Sequence, residues 1–306
     1  MWDTAFFVVA CGLGLFASRI IATFTKTLKL NPMKPLYLLG FLLLVATQSL
    51  TAGEPIRILA IGNSFSQDAV EQNLHELAAA EGIETIVANM YIGGCSLERH
   101  VENARHNRSA YAYRKIDRHG RKSERKGTTL VEALRDEKWD YVSVQQVSGQ
   151  SGIYDSYVAS LPELLRFLRQ YLPATTKIIL HQTWAYASDS NHKDFVRYDR
   201  NQQQMHRAIV EANRRVAKEY GFEVMVPSGV AVQYARKQVG DCLTRDGYHL
   251  DLGFGRYVAA CTWFEVLFDR SVVGNSYAPK GVPAERVKVA QRSAHKAKRR
   301  PNKRRF

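Results

Sequence analysis

Cysteine and long apolar runs are both scarce in this chain, and each scarcity removes a class of answer. Four cysteines occur among 306 residues, Cys11, Cys95, Cys242 and Cys261, with no Cys-x-x-Cys spacing. Cys11 falls in an amino-terminal segment set apart below, which leaves an odd number, so at most one disulfide can form. That count excludes a disulfide-framework fold and a cysteine-rich zinc site, and stability must come mainly from an apolar core. No apolar stretch reaches the roughly 20 residues of a transmembrane helix. A His-Glu-x-x-His pair, a phosphate loop and a dinucleotide glycine fingerprint are also missing, which argues against metalloprotease, nucleotide-binding and hydride-transfer chemistry. No metal and no cofactor is expected.

Acidic residues are in deficit too, 29 against 43 basic ones, for a net charge of +14. The excess is local, concentrated in Arg105 to Lys126 and in the tail Lys296 to Arg305. Such like-charge runs usually stay solvated. The tail has no interleaved aromatic residues, so nucleic acid is not the expected partner. An acidic polysaccharide or another anionic polymer suits a basic exported protein better.

Export is expected from residues 1–53. Met33-Lys34 supplies a short positive start, Leu36 to Ala46 an apolar stretch and Thr51-Ala52-Gly53 the small residues of a cleavage site. A second apolar stretch, Phe6 to Phe16, is redundant before a complete signal peptide. Met33 is therefore the expected start, and a membrane anchor is the alternative if residues 1–32 are translated. Without residues 1–53, which hold Arg19, Lys26, Lys29, Lys34 and Asp3, the net charge is +11. The expected organisation is a catalytic domain over residues 54–285, followed by a helix end and basic tail over 286–306.

Within that domain, short apolar runs alternate with helical patterns, the signature of a parallel sheet wrapped by helices. Expected strands are Ile56–Ile61, Glu84–Tyr91, Tyr141–Gln145, Lys177–His181 and Glu223–Val226. Helical spacing appears at Val70, Leu74, Leu77 and Ala78, at Leu161 to Leu172, and at Met205, Ile209, Ala212 and Val216. An amphipathic helix is expected over Leu252–Phe268 and a further one over Ala284–Ala297. Tyr111 to Ile116, followed by Asp117-Arg-His-Gly120, reads as a β-hairpin excursion with Gly120 in its turn. The fold class is thus α/β, a three-layer α/β/α sandwich around a mostly parallel five-stranded sheet, with a hairpin insertion.

Two short motifs carry chemistry. Gly62-Asn63-Ser64 sits where the first strand ends and the first helix begins, so Ser64 is exposed at the carboxyl edge of the sheet, where ligands of open α/β folds bind. A serine that merely caps the helix is the plainer reading. In Asp246-Gly247-Tyr248-His249 a carboxylate three residues before an imidazole can bond its Nδ1–H, fix the tautomer and stabilise the imidazolium. The order Ser64, Asp246, His249 spans nearly the whole domain.

With these motifs the chain resembles the SGNH, or GDSL-type, hydrolase superfamily over about Ile56 to Phe268. The resemblance implies that Ser64 is the nucleophile and that Asp246 and His249 form its acid/base pair. It also implies an oxyanion hole made by Ser64, Gly94 of Ile92-Gly-Gly-Cys-Ser96, and a side chain at the end of the third strand. There the family's usual Asn is replaced by Gln145-Gln146, of which Gln146 is the first choice and Gln145 the second. Trp139-Asp-Tyr, Gln145-Gln146 and Thr183-Trp184-Ala185 together resemble a bacterial secreted branch of the superfamily with no assigned activity. Trp184, Gln145 and Tyr248 are candidate substrate-binding residues; Trp184 and Tyr186 could stack on a sugar ring or belong to the core instead, and His181 reads as a satisfied interior histidine. The implied function is an exported serine esterase that removes acetyl or other small acyl groups from a carbohydrate. The alternative is a non-catalytic carbohydrate-binding or envelope-associated protein on the same fold.

Overall fold

The computed structural model describes residues 53–299. The expected signal peptide with its start at Met33, and residues 300–306 of the basic tail, lie outside that range. The sheet is organised around β1 (Ile56–Gly62), where Ile58 to Ile61 are at most 1% exposed. A strand with no solvent face reads as an unbroken apolar run, because helices cover both sides of a parallel sheet. The other strands are β2 (Thr85–Tyr91), β3 (Tyr111–Ile116), β4 (Lys122–Thr128), β5 (Tyr141–Val144), β6 (Lys177–His181) and β7 (Met225–Val226).

Their order across the sheet is β4-β3-β2-β1-β5-β6-β7. β2, β1, β5, β6 and β7 run parallel, while β3 pairs antiparallel with β2 and β4 with β3. The expected five-stranded sheet is therefore corrected to seven strands, because the hairpin extends the sheet instead of leaving it. β4 carries no apolar pattern, every residue but Thr128 being exposed. Charged residues on such an edge are a common guard against pairing with another chain. Much of the hairpin's positive charge is met locally, by Arg114 with Glu124 at 2.9 Å, Lys115 with Asp136 at 2.7 Å, Arg121 with Asp117 at 2.7 Å, and Arg118 with Glu84.

The helices are α1 (Ser64–Val70), α2 (Leu74–Ala79), α3 (Leu97–Arg105), α4 (Leu130–Asp136), α5 (Tyr154–Val158), α6 (Leu161–Tyr171), α7 (Gln202–Glu219), α8 (Ser228–Val239), α9 (Phe254–Leu267) and α10 (Ala284–Arg299). Successive strand side chains point to opposite faces. Accordingly Ile58 and Ala60 join one buried cluster with α1, α2, α8, α9 and α10, while Leu59 and Ile61 join a second with α3, α4 and α6. Local chemistry sets the helix starts. Ser96 caps α3 by accepting from Arg99 N, and Thr129 and Glu132 form a reciprocal capping box at α4.

One expectation at the carboxyl end is revised. Every residue of α9 except Val266 is buried, so this helix is a central rod enclosed all round and not an amphipathic surface helix. α10 packs on the same core through Ala290, Ala294 and Ala297, and Gln291 Nε2 donates to Tyr257 Oη at 3.0 Å. The parallel strands in the order 2-1-5-6-7 place the topological switch between β1 and β5. Ligands of such sheets bind at the carboxyl ends of the strands flanking that point.

Candidate active site

At the switch Gly62 ends β1, Asn63 follows as a cap and Ser64 opens α1. A Cβ on Gly62 would lie 2.6 Å from Ser66 Oγ and 3.0 Å from Gln145 Cδ, so only glycine fits this elbow. Asn63, in extended conformation, caps α1 with Oδ1 accepting from Phe65 N at 2.9 Å, and its Nδ2 donates to Cys95 O at 2.9 Å. One side chain thus ties the serine elbow to the loop after β2, where Gly94 is exposed with φ +62. Ser64 is half-buried, and its hydroxyl has no hydrogen-bond partner among the described residues.

A buried chain of neutral groups continues from Asn63. Gln145 Nε2 donates to Asn63 Oδ1 at 3.0 Å, Gln145 Oε1 lies 2.7 Å from His181 Nδ1, and His181 Nε2 lies 3.0 Å from Ser228 Oγ. Its direction is fixed from one end. The Phe65 N–H can only donate, so Asn63 presents Oδ1, Gln145 presents its amide nitrogen, and His181 carries its proton on Nδ1 and accepts from Ser228. Burial pushes the His181 imidazole down to about 3, so it is neutral through the physiological range. The expected interior, satisfied role of His181 agrees with this geometry.

Gln146, the first choice as oxyanion donor, is corrected. Its Nε2 donates to both Ser156 O and Ser156 Oγ at 3.1 Å, and its Oε1 accepts from Leu97 N at 3.0 Å and Val147 N at 2.8 Å. Both amide hydrogens are spent on Ser156 of α5, while Oε1 ties the loop to the start of α3. Gln145 keeps one amide hydrogen without a partner among the described residues. Strand parity carries the signal that favours Gln145, since Ser143 pairs with Ala60 and Ile179, and two residues on lie Gly62 and His181.

The second half of the site is the loop Arg245–Leu250. Asp246 Oδ2 lies 2.6 Å from His249 Nδ1, and Oδ1 accepts from His249 N at 2.8 Å and Tyr248 N at 3.2 Å, with Gly247 at φ +87. Burial opposes ionisation of Asp246, but the hydrogen bonds from His249 and the two backbone N–H groups outweigh it and hold the carboxyl below its ordinary value. An Nδ1–H held by this carboxylate leaves Nε2 as the basic atom. The imidazole lies 6.2 Å from the ring of Phe65, the neighbour of Ser64. No hydrogen bond joins Ser64 Oγ to His249 Nε2 among the described residues, and such bonds are often long before a substrate binds.

Asp68 on α1, fully buried, holds this loop from beneath. It accepts from Leu250 N at 2.8 Å, from Arg256 Nε at 2.8 Å and Nη2 at 2.7 Å, and from Arg245 Nη1 at 3.3 Å. Trp184 Nε1 donates to Tyr248 O at 2.8 Å, and Ala187 N to Gly247 O at 2.7 Å. Trp184 and Tyr186 are 0% exposed, Trp184 stacked at 4.3 Å on Phe65, so neither can serve as a sugar platform. Trp184 is instead the backing of the rim. Tyr248 is half-buried, its ring 4.2 Å from that of His249. Asn63 and Asp68 were not legible as site residues, because each is ordinary in isolation and acts only through contacts across the fold.

Among the described residues no group of three or more His, Cys, Asp or Glu could hold a metal ion. Cys95, Cys242 and Cys261 are free thiols, and burial raises Cys95 to about 12, so it is no nucleophile at neutral pH.

No curated protein matches the chain. Among solved structures, TesA is 15% identical, with a TM-score of 0.41 over 70% of this chain and 96% of that one. Axe2, an acetylxylan esterase from Geobacillus stearothermophilus, is 13% identical, with a TM-score of 0.45 over 75% of this chain and 99% of that one. A DUF4886 family protein from Bacteroides uniformis is 55% identical, with a TM-score of 0.81 over 82% of this chain and 97% of that one. Residues 57–297 match the domain of unknown function DUF4886, and the chain belongs to that family.

Proposed function

We propose that this chain is an exported serine esterase of the SGNH type, removing acetyl or another small acyl group from a carbohydrate. Ser64 Oγ attacks the ester carbonyl carbon while its proton passes to His249 Nε2. The bond from the acyl carbon to the alcohol oxygen then breaks, and His249 returns the proton to that oxygen. Water attacks the acyl-enzyme next, giving a proton to His249, which passes it to Ser64 Oγ as the bond from the acyl carbon to Oγ breaks and the acid leaves. The carbonyl oxygen's transient negative charge is received by the N–H groups of Ser64 and Gly94 and by the unspent amide hydrogen of Gln145, in place of Gln146.

One observation carries this reading: the 2.6 Å Asp246–His249 pair leaves Nε2 free beside an elbow that presents an uncommitted hydroxyl. A fluorophosphonate probe tests it. Ser64 is expected to be labelled in the folded wild type, and Ser64→Ala to lose labelling together with about 10⁶ of the turnover of 4-nitrophenyl acetate. A second reading, a carbohydrate-binding protein without turnover, is favoured by the missing Ser64–His249 hydrogen bond. Folded wild type that stays unlabelled would establish that second reading instead.

A further inference from the structure

His192 stands on the rim beside the Asp246–His249 loop, unnoticed in the sequence, with an unspent donor. It caps the 3-10 turn Lys193–Tyr198, its Nδ1 accepting from Asp194 N at 3.2 Å. That bond puts the ring proton on Nε2, which has no partner among the described residues. The ring lies 4.6 Å from Tyr186 and edge-on, at 4.7 Å, to Tyr248, whose own ring is 4.2 Å from His249. The Tyr248 hydroxyl likewise has no partner among the described residues. Ser190 packs between the two segments: a Cβ on Gly247 would lie 3.0 Å from it, and Ser190 Oγ accepts from His192 N at 3.3 Å.

His192, Tyr248 and His249 therefore form one continuous aromatic wall with two unspent polar groups along it. Resting on the esterase reading above, the direction of the wall has a chemical meaning. The imidazole that returns a proton must lie against the oxygen that leaves, so the alcohol half of the ester sits on the His249 side and the acyl half on the side of Gly94 and Gln145. An alcohol that presents an apolar face and several hydroxyls, a sugar ring, matches an aromatic surface carrying hydrogen-bond groups. We propose that His192 Nε2–H and Tyr248 Oη form the subsite for the leaving alcohol, selecting an uncharged sugar over a simple alkyl or aryl alcohol. Burial holds the His192 imidazole below its ordinary value, so it offers a donor without a full charge. Asp194, Lys193, Asp246 and the His249 imidazole are the titratable groups that act on it.

The test uses two esters that give the same acetyl-enzyme, 6-O-acetylglucose and 4-nitrophenyl acetate, so that kcat/KM differs only through the leaving group. His192→Asn keeps the cap, because Asn Oδ1 accepts the same N–H, but withdraws the ring and the donor at the Nε2 position, its own amide ending one bond short of that point. Tyr248→Phe keeps the ring and removes the hydroxyl. In each variant the ratio of kcat/KM for the sugar ester to that for the aryl ester is expected to fall about tenfold, as one lost hydrogen bond predicts. Thermal unfolding checks that both variants fold. A ratio unchanged in both, with hydrolysis still dependent on Ser64, would overturn the subsite and leave the esterase reading standing. Hydrolysis of 4-nitrophenyl acetate that survives Ser64→Ala would overturn the esterase reading, and the subsite with it.

Discussion

The two halves of the candidate site are built from opposite materials. The serine elbow is held by a buried relay of neutral groups, Asn63, Gln145, His181 and Ser228, whereas the histidine loop is held by charges, Asp68 with Arg245 and Arg256 below it and Asp246 within it. Neutral hydrogen bonds in a core cost less to desolvate than ions, and the one titratable member, His181, is held neutral through the physiological range by burial. Charged ones demand full satisfaction, and Asp68 meets that demand with donors from three residues. The elbow is thus the half fixed by shape and the loop the half fixed by electrostatics.

The largest test of that contrast is Asp246→Asn, expected to lower turnover about 10⁴-fold by offering His249 the wrong hydrogen-bond partner. Steady-state rates on 4-nitrophenyl acetate read it, and a loss below tenfold would show that the loop does not depend on its charge. Asp68→Ala should come next, destabilising the fold by about 3–5 kcal/mol, because the buried Arg256 is left unpaired. Urea unfolding measures this, and a cost under about 1 kcal/mol would break the claim that ions hold the loop.

On the proposed esterase reading, Gln145→Ala should lower kcat about 10²- to 10³-fold by removing an oxyanion donor, while Gln146→Ala should act mainly on the loop it anchors and so on stability. Equal kinetic losses in the two variants would erase the distinction drawn between them. The smallest expected effect is on acid stability. Asp246 titrates below its ordinary value in the folded state, so its contribution is complete above about pH 4 and fades as pH falls through that lowered value. Unfolding curves of wild type and Asp246→Asn should converge between pH 5 and pH 2, and a constant gap would locate the acid response elsewhere.

Much of this was legible in the sequence because burial leaves a pattern. β1, β2, β5 and β6 are apolar runs, and the strand Lys177–His181 has the expected bounds. β4 was not legible as part of the sheet, since an exposed edge strand made of Lys, Ser, Glu and Arg has no apolar alternation. Ser64, Asp246 and His249 stand out because their residue types and order are unusual together. Gln145 and Gln146 are chemically identical neighbours, and only the parity of the strand separates them. His192 and Asp68 are single polar residues whose roles arise from contacts with segments tens to nearly two hundred positions away.

The enclosed helix α9 gives the molecule a mechanical character. Arg256 near its start grips Asp68 under the rim, and Glu265 near its end lies 2.9 Å from His295 of α10, with Val272 N donating to the same carboxylate at 2.8 Å. A beam bolted at both ends and jacketed on all sides yields little to a load applied at its tip. The floor under the histidine loop is thereby tied into the core at both ends of one enclosed helix.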